Sequence, residues 1–220
     1  MMIKYFDGIE AEFFRKPEEI DILPLYLKHH NIMEDNIIFD LGSFEGIFSV
    51  YASLKAKKGK VFSFEPDLRN FGHLTQNLTL NNLNNIFPIP FAIGGSNGKK
   101  FLQKRVNENS SLLSHLSLHH SKEDLDIQET FSLTLDDFSD FIGLEKIDFI
   151  KMDVESAELE ILEGCKKIIE KFHPDFAIAS YHILNGKQTR PSVEKFLSDR
   201  GYNVETGGFH QTTWGWYDKS

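Results

Sequence analysis

The chain has 220 residues, 40% of them hydrophobic, and a formal charge of −9. That length buries a full core as a single domain, and the acidic balance argues against a protein built to hold nucleic-acid phosphates, which needs clustered Lys and Arg. A lone cysteine, Cys165, excludes an intrachain disulfide, and no stretch approaches the ~18 apolar residues of a membrane span. The expectation is a soluble, cytoplasmic protein with no nucleic-acid partner and no membrane span, and a homo-oligomer is left open.

Residues 1–35 read as an N-terminal helical extension packed on the main domain, chiefly Pro17 to His30, where Ile20, Ile22, Leu23, Leu25, Tyr26 and Leu27 supply an apolar face. Such a segment caps the sheet edge or covers a ligand crevice. Residues 36–220 read as the main domain. Ile37 to Leu41 is an apolar run carrying Asp40, and it breaks into Gly42-Ser43-Phe44-Glu45-Gly46 before Ile47 to Ala52 resumes an apolar pattern. That is strand, tight loop and helix. Gly42 and Gly46 accept positive φ or a ligand close to the backbone, and the helix points free N–H groups over the loop. Alone, D-x-G-x-x-x-G also fits an ordinary strand-to-helix turn.

Charge narrows the ligand. Asp40 and Glu45 bracket the loop and would repel a pyrophosphate, whereas a carboxylate is a natural partner for the ammonium of S-adenosylmethionine. Val61 to Phe64 forms a second strand closed by Glu65 and Pro66. Glu65 falls 25 residues after Asp40, close to the spacing at which a βαβ unit sets an acid on ribose hydroxyls.

Asp67 to Asn82 has helical spacing, and Ile86 to Ile93 reads as a third strand whose Pro88 and Pro90 send it to a sheet edge. Gly94 to Gly98 is a turn and Lys99 to Lys104 a short strand. From Val106 to Gln128 the periodicity fades, which suits an active-site cover. His115, His119 and His120 in that stretch read as solvated loop histidines, and no metal is expected. Thr134-Leu135-Asp136-Asp137 opens a short helix as a capping box. Ile147 to Asp153 is the fourth strand, and after Val154-Glu155-Ser156 a single helix carries Leu159, Leu162, Cys165, Ile169 and Phe172 on one face. Cys165 is thus core. Phe176 to Tyr181 is the fifth strand, Pro191 to Arg200 a helix ended by Gly201, and 202–206 with 211–217 a terminal strand pair. The expected fold is α/β, a single-domain Rossmann-like sheet of seven mostly parallel strands with an antiparallel terminal hairpin.

Three blocks resemble the FkbM-type S-adenosylmethionine-dependent methyltransferases, over roughly Asn36 to His182. They are Phe39 to Gly46, then Phe64-Glu65-Pro66 with Asn77 and Asn81, and most specifically Thr134 to Asp137 followed by Ile147-Asp148-Phe149-Ile150-Lys151-Met152-Asp153-Val154-Glu155-Ser156-Ala157-Glu158. The resemblance implies S-adenosylmethionine held by Asp40, Gly42, Ser43, Phe44, Glu45, Gly46, Glu65, Pro66, Ala92, Ile93 and Asp153. It also implies methyl transfer to a hydroxyl of a sugar, glycan or secondary metabolite. The family usually has Ala-Asn at Ser43-Phe44, Gly at Ser156, where serine is expected to cap the helix, and Glu-x-His at Ser180-Tyr181-His182.

Asp153, Glu155 and His182 are the catalytic candidates, with Glu158 beside them. His182, with an ordinary pKa near ~6.5, or Asp153 is favoured as the base that takes the alcohol proton. Early acids such as Glu155 and Glu158 equally serve the helix dipole. Two rival functions are a NAD-dependent oxidoreductase on a doubly wound sheet and a non-catalytic cofactor-binding protein.

Overall fold

A computed structural model describes residues 1–5, 7–17, 20–104 and 126–218. The N-terminal segment is not the helical extension expected. It forms a hairpin, β1 (Met2–Lys4) with β2 (Glu10–Glu12), and a single helical turn, α1 (Leu23–Tyr26). Pro24 suits only the first turn of a helix, and Ile20, Ile22 and Leu27 pack on the core from irregular chain around α1.

The main domain alternates β3 (Ile37–Leu41), α2 (Ile47–Lys55), β4 (Lys60–Phe64), α3 (Leu68–Leu80) and β5 (Ile86–Ile89). A side branch follows: β6 (Ala92–Ile93), β7 (Gly98–Lys104) and β8 (Asp126–Leu133). The chain continues with α4 (Leu135–Ile142), β9 (Phe149–Met152), α5 (Glu158–Glu163), α6 (Lys166–Phe172), β10 (Asp175–Ala179), the small pair β11 (Ile183–Leu184) and β12 (Lys187–Gln188), α7 (Arg190–Ser198), β13 (Asn203–Gly207) and β14 (Thr212–Trp216).

Seven strands form one sheet in the order β5-β4-β3-β9-β10-β14-β13. The sheet is mixed: β14 runs antiparallel to both of its neighbours, β10 and β13, while the other pairs are parallel. The hairpin without an intervening helix makes β13 and β14 antiparallel neighbours, and β14 also pairs with β10, which leaves β13 at the edge.

Three boundaries differ from expectation. The run Ile86 to Ile93 divides at Pro90-Phe91, where proline has no N–H to give, so β5 stays at the edge of the large sheet while β6 pairs with β8. The single helix expected after Ser156 breaks at Gly164-Cys165. A Cβ at Gly164 would overlap the Gly94 carbonyl, and Asp136 of α4 accepts the N–H groups of Lys167 and Ile168 at 3.1 and 3.0 Å, starting α6 afresh. The expected cover, with its three histidines, lies outside the described residues except for 126–128, which open β8. There the alternation is inverted, with Ser132 1% exposed while Ile127 and Phe131 are 54% and 45% exposed.

Side chains alternate across the sheet into two apolar layers. Phe39 and Leu41 of β3 face one layer with Phe64, Phe138, Ile150 and Leu162, and Ile38 faces the other with Val50, Val61, Phe149, Tyr26 and Trp214. Asp40 shares the face of Ile38, which decides its fate.

Candidate active site

The loop after β3 is held by its neighbours. The amides of Gly42 and Ser43 both donate to the Phe64 carbonyl at 3.0 Å, and Ser43 Oγ donates to the Asp40 carbonyl at 2.9 Å. Gly42 has φ +73, and a Cβ there would overlap the backbone carbonyl of Asp153. The glycine is therefore what lets the loop touch the end of β9. Phe44 takes φ +50 and donates its amide to Glu65 Oε2 at 2.8 Å.

Both bracketing acids already have partners within the protein. Asp40 is fully buried, accepts from Ser49 Oγ at 2.5 Å and pairs with Lys151 Nζ at 3.0 Å. Parallel pairing of β3 with β9 sets Asp40 opposite Lys151 in register. Glu45 pairs with Arg15 of the N-terminal segment and lies 3.4 Å from His73 Nδ1. Asn77 and Asn81 complete that strap: the Phe14 and Glu12 amides donate to their side-chain oxygens at 3.1 and 2.8 Å. Arg15, Asn77 and Glu45 thus tie the first residues to the loop.

Glu65 ends β4 and is buried, accepting from the amides of Phe44 and Asp67 at 2.8 and 2.9 Å. Burial pushes its pKa up to about 8, against those two hydrogen bonds. A folded pKa above the unfolded one gives stability that is complete below about pH 4.5 and is lost as pH rises through about 8. In the ligand-free protein, stability measured by urea titration is expected to fall across that window, and Glu65→Gln to flatten the fall. The same variant is expected to weaken cofactor affinity by about 1–3 kcal/mol, read by calorimetry, if Glu65 accepts from the ribose hydroxyls. Pro66 follows it, its carbonyl accepting from Gln128 Nε2 at 2.6 Å. Ala92 is half-buried in β6, while the Ile93 side chain is spent in the apolar layer.

At the carboxyl ends of β9 and β10 the catalytic candidates meet. The Asp153 amide donates to the Leu41 carbonyl at 2.9 Å, continuing the ladder, after which Glu155 and Ser156 take φ +53 and +85. This double left-handed step is unusual for residues with a Cβ. Ser156 does not cap the helix. Ala157 holds the cap position, and Ser156 Oγ donates to the Ile183 carbonyl at 3.2 Å. Glu158, fully buried, accepts the Ser156 amide at 3.1 Å and lies 2.7 Å from His182 Nδ1. Its carboxylate serves His182 more closely than the helix dipole.

His182 Nε2 lies 3.5 Å from Asp153 Oδ1 and 3.7 Å from Glu155 Oε1. Burial works against its cation, but Glu155, Glu158 and Asp153 together outweigh burial and raise the pKa to about 10. These carboxylates favour the imidazolium, which makes Asp153 the stronger candidate for the base and His182 a group that orients the acceptor. Ser180 Oγ donates to the Gln211 carbonyl at 2.9 Å, so serine at this position fastens β10 to the terminal hairpin.

Three residues without a predicted role complete the site. Tyr26 Oη donates to Asp153 Oδ2 at 2.8 Å, and α1 is placed by Trp214 Nε1 donating to the Leu25 carbonyl at 2.6 Å. His210 Nε2 stands 3.7 Å from Asp153 Oδ2, with Tyr181 packed against both His182 and His210. Burial first, then the charges of Lys151 and His182, lower the His210 pKa against the pull of Asp153. Lys151 Nζ also donates to the Gly42 carbonyl at 2.8 Å.

The strand order with its inserted antiparallel strand, the glycine loop and the buried acid at the end of β4 define a methyltransferase of the Rossmann-like class. Residues 36–204 match the methyltransferase FkbM domain, and the chain belongs to that family. Its cofactor is S-adenosylmethionine. Among curated relatives, Methyltransferase sdnD of Sordaria araneosa is 26% identical over 200 residues, covering 79% of this chain and 76% of that protein. The hexuronic acid methyltransferase AglP of Haloferax volcanii is 26% identical over 188 residues, covering 85% of this chain and 71% of that protein. The structure of Methyltransferase FkbM from Methylobacillus flagellatus superposes with a TM-score of 0.60 at 21% identity, covering 86% of this chain but only 45% of that one.

Among the described residues no helix is long and apolar enough to cross a membrane.

Proposed function

We propose that the chain is an O-methyltransferase acting on a hydroxyl group of a sugar, glycan or related metabolite, with Asp153 as the proton acceptor. The observation that carries this reading is the contact of Gly42 with the Asp153 backbone, which brings the cofactor loop and the carboxylate cluster to one place. AglP, named for a hexuronic acid, supports a sugar acceptor. Family membership sets the oxidoreductase alternative aside.

S-adenosylmethionine supplies an electrophilic methyl group on a sulfonium. Around it the chain's task is to hold the acceptor oxygen in line at near-attack distance, where orientation accounts for much of the rate. Tyr26 fixes Asp153 through Oδ2, so that Oδ1 faces the crevice between His182 and Glu155. Asp153 takes the hydroxyl proton as the O–C bond forms and the S–C bond breaks. Glu155 and His182 orient the acceptor. Pro66, Ala92 and Ile93 remain assigned to the cofactor side, and Asp40 and Glu45 support the loop from behind.

Calorimetry with S-adenosylhomocysteine and with NAD, followed by a labelled-methyl screen of cell extracts, tests this reading. Saturable binding of S-adenosylhomocysteine, none of NAD, and label transferred to oxygen are expected. Binding with no transfer to any hydroxyl acceptor would favour a non-catalytic protein.

A further inference from the structure

His182 is 6% exposed, and its Nε2 has no hydrogen-bond partner although it is aimed between Asp153 Oδ1 at 3.5 Å and Glu155 Oε1 at 3.7 Å. One donor atom from each of the three residues lies within 4.8 Å of the others. These gaps are too wide for direct hydrogen bonds. They are slightly wider than the edges of a coordination shell, where donors about 2.1 Å from a cation stand ~3.0 Å apart at right angles and ~3.4 Å apart at the tetrahedral angle, so an ion would draw the three groups together.

The surroundings favour the same occupant. Glu158 Oε1, 2.7 Å from His182 Nδ1, accepts its N–H, and a cation in the gap would take the place of the Nε2 proton, the arrangement in which a carboxylate orients a metal-binding imidazole. Asp153, Glu155 and Glu158 bring three negative charges together, while the nearby Lys151 is already paired with Asp40. Glu155 and Ser156 hold left-handed backbone, φ +53 and +85, beside the gap.

We propose that Asp153, Glu155 and His182 form a binding site for a divalent cation of the Mn²⁺ class, which accepts carboxylate oxygen and imidazole nitrogen together. This replaces the sequence-based expectation of no metal. The cation's remaining positions face the crevice and bind the acceptor's hydroxyl oxygen, a clause that rests on the methyl-transfer reading.

The test is titration of the full chain with MnCl₂ by calorimetry, with spin-echo EPR of the bound ion and, on the same preparation in EDTA, titration with S-adenosylhomocysteine. One saturable Mn²⁺ site is expected, showing ¹⁴N modulation that His182→Gln abolishes. Glu155→Gln is expected to weaken Mn²⁺ binding at least tenfold, and Glu158→Gln, a positioning residue, about 10–100-fold with altered ¹⁴N coupling. Absence of saturable Mn²⁺ binding by the wild-type chain overturns the site without need of any variant, as does ¹⁴N modulation that persists in His182→Gln. A chain that binds S-adenosylhomocysteine but not Mn²⁺ sinks the metal site alone. Mn²⁺ bound with ¹⁴N modulation but no S-adenosylhomocysteine bound keeps the site and removes the methyl-transfer reading.

Discussion

Asp153→Asn is expected to lower methyl transfer about 10²–10⁴-fold, the usual cost of removing a positioned proton acceptor. An amide of the same shape keeps an oxygen for the Tyr26 hydroxyl, so the loss falls on the chemistry and not on the fold. Affinity for S-adenosylhomocysteine is expected to change little, because Gly42 meets the backbone of Asp153 and not its carboxylate. Single-turnover rates, with cofactor affinity measured separately, make the distinction. A variant that turns over at the wild-type rate, with chemistry shown to limit turnover, would move the proton acceptor elsewhere. His210, 3.7 Å away, is then the group to substitute.

The largest effect on stability is expected at Lys151. Both it and Asp40 are buried, in register on adjacent parallel strands, and Lys151→Met leaves the Asp40 carboxylate without its cation in an apolar layer. Removing one partner of a buried pair typically costs about 3–5 kcal/mol. Replacing both, Asp40→Asn with Lys151→Met, removes the stranded charge and is expected to recover much of the loss. Urea denaturation of the two single variants and the double variant measures this as a cycle. Strict additivity would mean that the 3.0 Å pair carries no coupling.

This pair also shows how far the residues could be read in advance. The fourteen strands of the described residues are not equally visible: the five apolar runs of the large sheet, together with the terminal hairpin, announce themselves by composition, and connection rules narrow their order. Lys151 lies inside the run Phe149, Ile150 and Met152, with Asp148 and Asp153 at its ends, just as Asp40 interrupts Ile37 to Leu41. Two strands expected side by side, each with a charge of opposite sign inside its apolar run, imply a cross-strand ion pair. The strand β8 was legible as well, since Ile127, Phe131 and Leu133 alternate with Gln128, Thr130 and Ser132.

Other features had no local signal. Tyr26 and His210 reach Asp153 from 127 and 57 positions away along the chain, and only the docking of α1 against Trp214 and the turn of the terminal hairpin bring them there. The break between α5 and α6 depends on Gly94 and Asp136, neither of which lies in the helix it interrupts. The pKa of His182 depends on three carboxylates, one of which, Glu158, had an equally good reading as a helix-dipole acid.

Transfer of a ¹³C-labelled methyl group from S-adenosylmethionine to a panel of sugars and uronic acids, read by NMR of the product, tests the central claim most directly. A single O-methyl resonance is expected in the product, formed by the wild-type chain and lost with Asp153→Asn. A methyl group found on nitrogen or carbon, or an O-methyl product formed equally fast by Asp153→Asn, would contradict it.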